Sequence, residues 1–350
     1  MTQCGAGALA REKKCGPGTV APESARTALL QILTCTLTPL LVLTCPCGSD
    51  AQTFSAPSHF ALVHKPHHQA SNASPVAAPA IDPQRAFRYI KDIVAFGPRP
   101  IGSANHKKVE QYILAHLKGD QVESDTFTAE TPEGKFPIRN IIAKYPGSKD
   151  GIIVIAGHYD TNYPLRNTAY VGANDGGSSA AILLELANQL RGKRRDGCSV
   201  WLVWTDGEEA VRQWSPTDSL YGTRHLAEKW QSDGTLKKIK AFLLADMIGD
   251  ADLNIERDTN SSPWLEDLLY QAASALGYQS HFFARTAAIQ DDHLPFVQRG
   301  VPSADVIDLD YGYGNVFHHT TQDTIDKLSP KSLEIAGNVI LQTIWMMDKR

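Results

Sequence analysis

The run Gly151-Ile-Ile-Val-Ile-Ala-Gly157 has no polar side chain to turn toward water. A segment that short, apolar throughout and bounded by glycines, suits a strand in the middle of a sheet covered on both faces. The β-branched and aromatic run beginning at Val200 and the stretch from Lys240 to Ala245 repeat the pattern, and Val301 to Ile307 reads as a further strand. Between them lie segments of helical character: Ser178 to Leu190, Asp218 to Trp230, Ser262 to Leu276, one beginning near Asp291, and Pro330 to Met347. Upstream, helices at Asp82 to Phe96 and Ser103 to Lys118 are separated by the breaker Gly97-Pro98-Arg99-Pro100-Ile101-Gly102. Two strand-like segments follow, Gln121 to Ala129 and Phe136 to Tyr145. Strands alternating with helices predict a single α/β domain with a mixed, largely parallel central sheet flanked by helices.

Chemistry gathers where the apolar runs stop. In an open parallel sheet, ligands bind just outside the carboxyl ends of the strands. His158 follows the first run, Thr205-Asp206-Gly207-Glu208-Glu209 the second and Asp246 the third; Asp175 and His319 lie in loops. Each residue alone is ordinary, as a cap or a satisfied polar group. Together they offer two imidazoles and several carboxylates, and like charges so close would raise one another's pKa values. A cation resolves that conflict, and mixed imidazole and carboxylate ligation is what zinc accepts in catalytic sites. Of two adjacent glutamates pointing in different directions, one can bind the metal while the other serves as a base.

The first residues differ in kind. Five of the six cysteines (Cys4, Cys15, Cys35, Cys45 and Cys47) lie in residues 1–51, where Arg26 precedes an apolar run from Ala28 to Cys45. That resembles a signal peptide with a cleavage site at Ser49-Asp50-Ala51, and predicts export to the periplasm or the outside, with anchoring to a membrane through this segment as the alternative. The run is too short and too interrupted for a stable membrane span. Without the leader only Cys198 remains, which excludes an internal disulfide and suits a small apolar residue beside a buried strand. Residues 52–81, rich in Pro, Ser, Ala and His, have a linker's composition, and residues 82–350 form the catalytic domain. A formal net charge of −4, with no basic stripe, argues against a nucleic-acid partner.

The motifs Gly157-His158-Tyr159-Asp160, Asn174-Asp175-Gly176, Asp206-Gly207-Glu208-Glu209-Ala210 and His319-Thr320 with Asp323-Thr324 resemble the zinc aminopeptidase superfamily. The run from Trp214 to Ala227, Asp246-Met247-Ile248-Gly249, Ile289 to Phe296 and Arg299-Gly300-Val301-Pro302 look like the animal-type glutaminyl-peptide cyclotransferases. That resemblance implies a zinc aminopeptidase-like fold and one zinc ion held by Asp175, Glu209 and His319. It implies Glu208 as the proton shuttle, Asp246 and Asp291 as a hydrogen-bonded acidic pair, and Trp214 in the substrate pocket. The substrate would be a peptide or protein N-terminus, and a monomer is the expected state. The alternative is a di-zinc aminopeptidase, whose second metal would be held by His158 and Asp246 and bridged by Asp175. One departure concerns the substrate side: the usual Trp before the last zinc histidine is replaced by His318, preceded by Phe317. Those two residues are expected at the pocket wall, with His318 as a competitor of His319 for the metal. His319 is favoured as the ligand because His-Thr continues the family motif.

Overall fold

The computed structural model describes residues 80–349, so the expected leader and nearly all of the linker lie outside the described residues. The domain begins slightly earlier than the composition suggests: Ile81 is buried, and its amide donates to Asn338 Oδ1 at 2.9 Å.

Helix α1 (Pro83–Val94) starts where the Asp82 carboxylate accepts the Arg85 amide and Pro83 supplies the first-turn φ. Helix α2 (Ala104–His116) is capped in the same way by Ser103. A hairpin of β1 (Gln121–Thr131) and β2 (Gly134–Tyr145) follows, then β3 (Lys149–His158). Helix α3 (Gly177–Leu190), the strand β4 (Cys198–Thr205), α4 (Tyr221–Ser232) and β5 (Ile239–Asp246) continue the alternation. The chain closes with β6 (Ile255–Asp258), α5 (Pro263–Ala275), β7 (Phe282–Ala287), the short α6 (Leu294–Val297), β8 (Ser303–Ile307) and α7 (Pro330–Asp348).

Six strands form one sheet in the order β1-β2-β4-β3-β5-β8. Contacts from β4 through β3 and β5 to β8 are parallel, and the β1-β2 hairpin adds antiparallel pairs at one edge, as expected for a mixed, largely parallel sheet. Because β3 lies between β4 and β5, the chain passes to opposite sides of it, which opens a crevice at the carboxyl ends of these three strands. Alternate β3 side chains feed two cores. Ile153 and Ile155 pack with residues of α1, α3, α5 and α7, whereas Val154 and Ala156 pack with α4, Phe242 and Phe296. Helix α3 is apolar nearly all round and lies against the sheet, its one buried acid, Glu185, held by Arg85 at 2.6 and 2.8 Å. Cys198 is half-buried at the start of β4, beside the core as expected. No helix among the described residues is long and apolar enough to cross a membrane.

Two expectations are corrected, and one element had not been expected. The helix assigned from Asp218 starts at Tyr221, because Asp218 turns back to accept the amides of Val211, Arg212 and Gln213, each at 2.9 Å. It thereby organises a loop in place of a first helical turn. The helix expected near Asp291 is only the single turn of α6, since Asp292 is drawn off into bonds with Thr205 and Thr223. A second, two-stranded parallel sheet of β6 and β7 was not expected at all.

Candidate active site

Every charged residue expected at the site reaches the crevice, and the sheet explains how. His158 is the last residue of β3 and Asp246 the last of β5. Glu208 and Glu209 lie in the turn after β4, Asp175 just before α3, and His318 and His319 in the loop before α7. A cavity of about 410 Å³ is lined by Asp175, Glu208, Glu209, Asp246, Asp291, His318 and His319, with Trp214, Ile289 and Leu309 among its apolar walls.

His319 Nε2 lies 3.1 Å from Glu209 Oε1 and 3.3 Å from Asp175 Oδ2. Zinc bonds of about 2.0–2.2 Å arranged tetrahedrally require ligand atoms about 3.3 Å apart, so His319 stands at the spacing of a co-ligand from each carboxylate. Donor atoms of Asp175, His318 and His319 also group there, all within 4.8 Å of one another. A second set shares Asp175: His158 Nε2 is 3.1 Å from Asp175 Oδ1 and 3.2 Å from Asp246 Oδ1. Both His158 ring nitrogens are buried without a hydrogen bond of acceptable geometry, which is the condition of a ligand set rather than of a satisfied core histidine. His319 sits at φ 52°, a left-handed conformation that costs energy outside glycine and tends to mark functional sites.

The electrostatics of the metal-free groups lead the same way. Burial opposes charge on His319, but Glu209 and Asp175 more than compensate and push its pKa up to about 11. His158 is likewise raised despite its burial, by Asp246, Asp160 and Asp175. Imidazolium protons thus occupy the place a cation would take, and metal binding must expel them. Burial lifts Glu208 well above the usual carboxylate range, and Asp291 and Glu209 add to the rise against the pull of His158. Its carboxylate makes no hydrogen bond to any described residue and faces the cavity. Asp291 is also raised well above its ordinary value, by burial and then by Asp246 and Asp292.

Asp246 and Asp291 are neighbours, and the charge of Asp246 adds to the rise of Asp291. Asp246 Oδ1 accepts from Ser179 Oγ and from the Met247 amide, both at 2.8 Å, and Asp291 Oδ1 accepts the Asp292 amide at 2.5 Å. One expectation about this site needs correction: Phe317 does not line this cavity. Its ring packs edge-on against Tyr311 and lies over Gly312, where an added Cβ would come within 2.5 Å of it. Glycine at 312 makes room for a ring that turns away from the site.

Three supporting residues carried no role in the sequence reading. The Asp160 carboxylate accepts the amides of Glu208 and Glu209, at 3.2 and 3.4 Å, so one buried acid orients the glutamate pair. Asp323 does the same for Asn174 and Asp175, at 2.8 and 3.2 Å. Both lay within motifs quoted for the family resemblance. Arg99 is fully buried and donates to the carbonyls of Tyr159, Val171, Gly172 and Asp175, which ties the loop bearing Asp175 to the end of β3. Only its place between two prolines was visible in the sequence.

An α/β sheet whose strand ends converge on imidazoles and carboxylates builds a candidate metal-dependent active site. The chain belongs to peptidase family M28, whose profile matches residues 140–344. It is 32% identical over 241 residues to a glutaminyl-peptide cyclotransferase of Drosophila melanogaster, covering 61% of this chain and 68% of that one. Among solved structures it is similar to an Acidobacteriales bacterium glutaminyl cyclase, with 51% identity and a TM-score of 0.77 over 82% of this chain and 100% of the other. A Zn-dependent exopeptidase from Parabacteroides distasonis superposes with a TM-score of 0.69 at 26% identity, over 78% of this chain and all of its own.

Proposed function

We propose that the protein is a zinc-dependent glutaminyl-peptide cyclotransferase, which closes an N-terminal glutamine of a peptide or protein to pyroglutamate and releases ammonia. The observation that carries this reading is Glu208, a buried carboxylate with no hydrogen bond to a described residue, which lines one cavity together with Asp175, Glu209, His319 and Trp214. Asp175, Glu209 and His319 would hold the zinc. When bound, the ion supplies Lewis acidity to the γ-carbonyl and positive charge for the developing oxyanion.

The chain's own residues do the rest. The substrate's α-amine forms a bond to the carbonyl carbon of its side-chain amide (Cδ), and the bond from that carbon to the amide nitrogen breaks. Glu208 takes the proton from the attacking amine and returns it to the departing nitrogen, so that ammonia leaves neutral. Its raised pKa suits a group that must hold the proton between the two steps. Asp291, whose pKa burial raises, lies beside Asp246 at the cavity and orients the reacting groups. The apolar walls at Trp214, Ile289 and Leu309 hold the side chain folded, which makes ring closure a matter of proximity.

A second reading rests on His158. Its unpaired ring nitrogens, between Asp175 and Asp246, support a second metal and hence a di-zinc aminopeptidase. One incubation separates the two: zinc-loaded protein with a Gln-initiated and an Ala-initiated peptide, followed by mass spectrometry. The cyclotransferase reading expects loss of ammonia from the Gln peptide alone. Clipping of the first residue from either peptide would replace it with the aminopeptidase reading. We further propose export, supported by Arg26 and the apolar run from Ala28 to Cys45. Recovery of full-length chain in the cytoplasm of the producing cell would count against it.

A further inference from the structure

His318 has no part in the three-ligand set, yet it is placed beside it. Its ring stacks at a tilt against His319, with centroids 3.9 Å apart, and it lines the cavity. His318 Nε2 is 3.9 Å from Asp175 Oδ2, the same oxygen that His319 Nε2 approaches at 3.3 Å. Ligand atoms of Asp175, His318 and His319 all lie within 4.8 Å of one another. A fourth corner of a zinc tetrahedron should stand about 3.3 Å from the others. A small rotation of the ring therefore brings Nε2 into place.

The far side of the ring is also provided for. A ligating imidazole needs its other nitrogen protonated and held by an acceptor. His318 Nδ1 faces the Asn315 amide, 3.1 Å from Nδ2, while Asn315 Oδ1 is buried without a partner. The two ends of an amide are assigned from their surroundings, so the group can serve either tautomer. Turned by a half-rotation, the partnerless Oδ1 accepts from Nδ1–H and leaves the Nε2 lone pair aimed at the metal corner. Asn315 sits at φ 62°, a left-handed position asparagine tolerates better than most residues. The backbone thus presents this amide at the edge of the site.

We propose that His318 is a fourth, displaceable ligand of the zinc held by Asp175, Glu209 and His319. The inference rests on the zinc site of the proposed cyclotransferase and adds to it a resting state with two imidazoles. A catalytic zinc keeps one position open for substrate. His318 therefore holds that position only until a peptide arrives, which makes it a gate on the site.

The test is X-ray absorption on the zinc-loaded protein, with zinc affinity measured by chelator competition. The expected result is two imidazoles in wild type and one in His318→Ala, with zinc bound at least about 10-fold more weakly by the variant. Asn315→Ala, which leaves the imidazole in place, should weaken binding by about 10-fold. Free imidazole should restore the two-imidazole signature to His318→Ala, which shows that the variant is folded. Glu208→Gln protein saturated with a Gln-initiated peptide should fall from two imidazoles to one. One imidazole in wild type, or equal affinity in wild type and His318→Ala, overturns the fourth ligand. His319→Ala separates the two levels of the argument. If it loses zinc while His318→Ala does not, only the gate falls; if its zinc affinity is unchanged, the metal site of the proposed function falls as well.

Discussion

Replacement of Glu208 by Gln should lower kcat for Gln-initiated peptides by about 10²–10⁴-fold, the usual contribution of a positioned general acid and base. Zinc content should not change, since Glu209 and not Glu208 belongs to the ligand set. The shape of the site should survive too. The Glu208 carboxylate has no hydrogen bond to a described residue, so an amide in its place breaks no bond, and the Glu208 backbone remains held by Asp160. KM should consequently move little, which separates loss of proton transfer from loss of binding. Single-turnover rates with matched zinc occupancy make the comparison. A variant that keeps more than about a tenth of wild-type kcat would fall short of that contribution and shift the shuttle to another group. Asp291 would then be the first to mutate, because it too lines the cavity with a raised pKa.

The second large effect lies away from the chemistry. Arg99→Ala removes a donor shared by four backbone carbonyls, those of Tyr159, Val171, Gly172 and Asp175. A buried acceptor left without a partner costs about 1–3 kcal/mol, and partial relaxation will not satisfy them all. The expected loss is on the order of 4 kcal/mol or more, which at this size lowers the unfolding midpoint by about 7 °C. Zinc affinity should fall with it, because the carbonyl of Asp175 is among those released. Arg99→Lys keeps the charge but not the planar fork, and should recover only part of the loss. Thermal unfolding of the three forms, with and without zinc, measures this. A shift of less than about 2 °C in Arg99→Ala would mean that water replaces the guanidinium, and would remove Arg99 from the framework of the site.

The parts of the fold visible in the sequence are those fixed by local pattern. The apolar run of β3 admits only a central strand, and the acids after β4 and β5 fall at strand ends because the apolar stretch stops there. What escaped was decided at long range. β6 and β7 are short and carry charged or polar residues, so their pairing depends on a neighbour that periodicity cannot reveal. Asp218 reads as a helix start until its carboxylate is seen to gather three amides of the preceding loop. Arg99 reads as part of a turn because its four partners lie 60 to 76 residues downstream. At the site, residue types and strand-end positions identified the ligands, but not the direction of a ring. Phe317 and His318 are adjacent in sequence, and one turns onto Gly312 while the other turns into the cavity.

The strand order has a kinetic meaning. With β3 between β4 and β5, the site draws on groups from His158 to His319, and no shorter fragment of the fold contains it. A transition state that has formed only some of the strand pairs has no place for the ion. Interactions missing from the transition state change unfolding rates and leave folding rates alone. Zinc should therefore act as a clasp fastened last: added metal should slow unfolding in denaturant and leave refolding from the zinc-free chain at its own pace. Stopped-flow fluorescence would read both arms, and faster refolding with zinc would mean that the ligands meet before the sheet is complete.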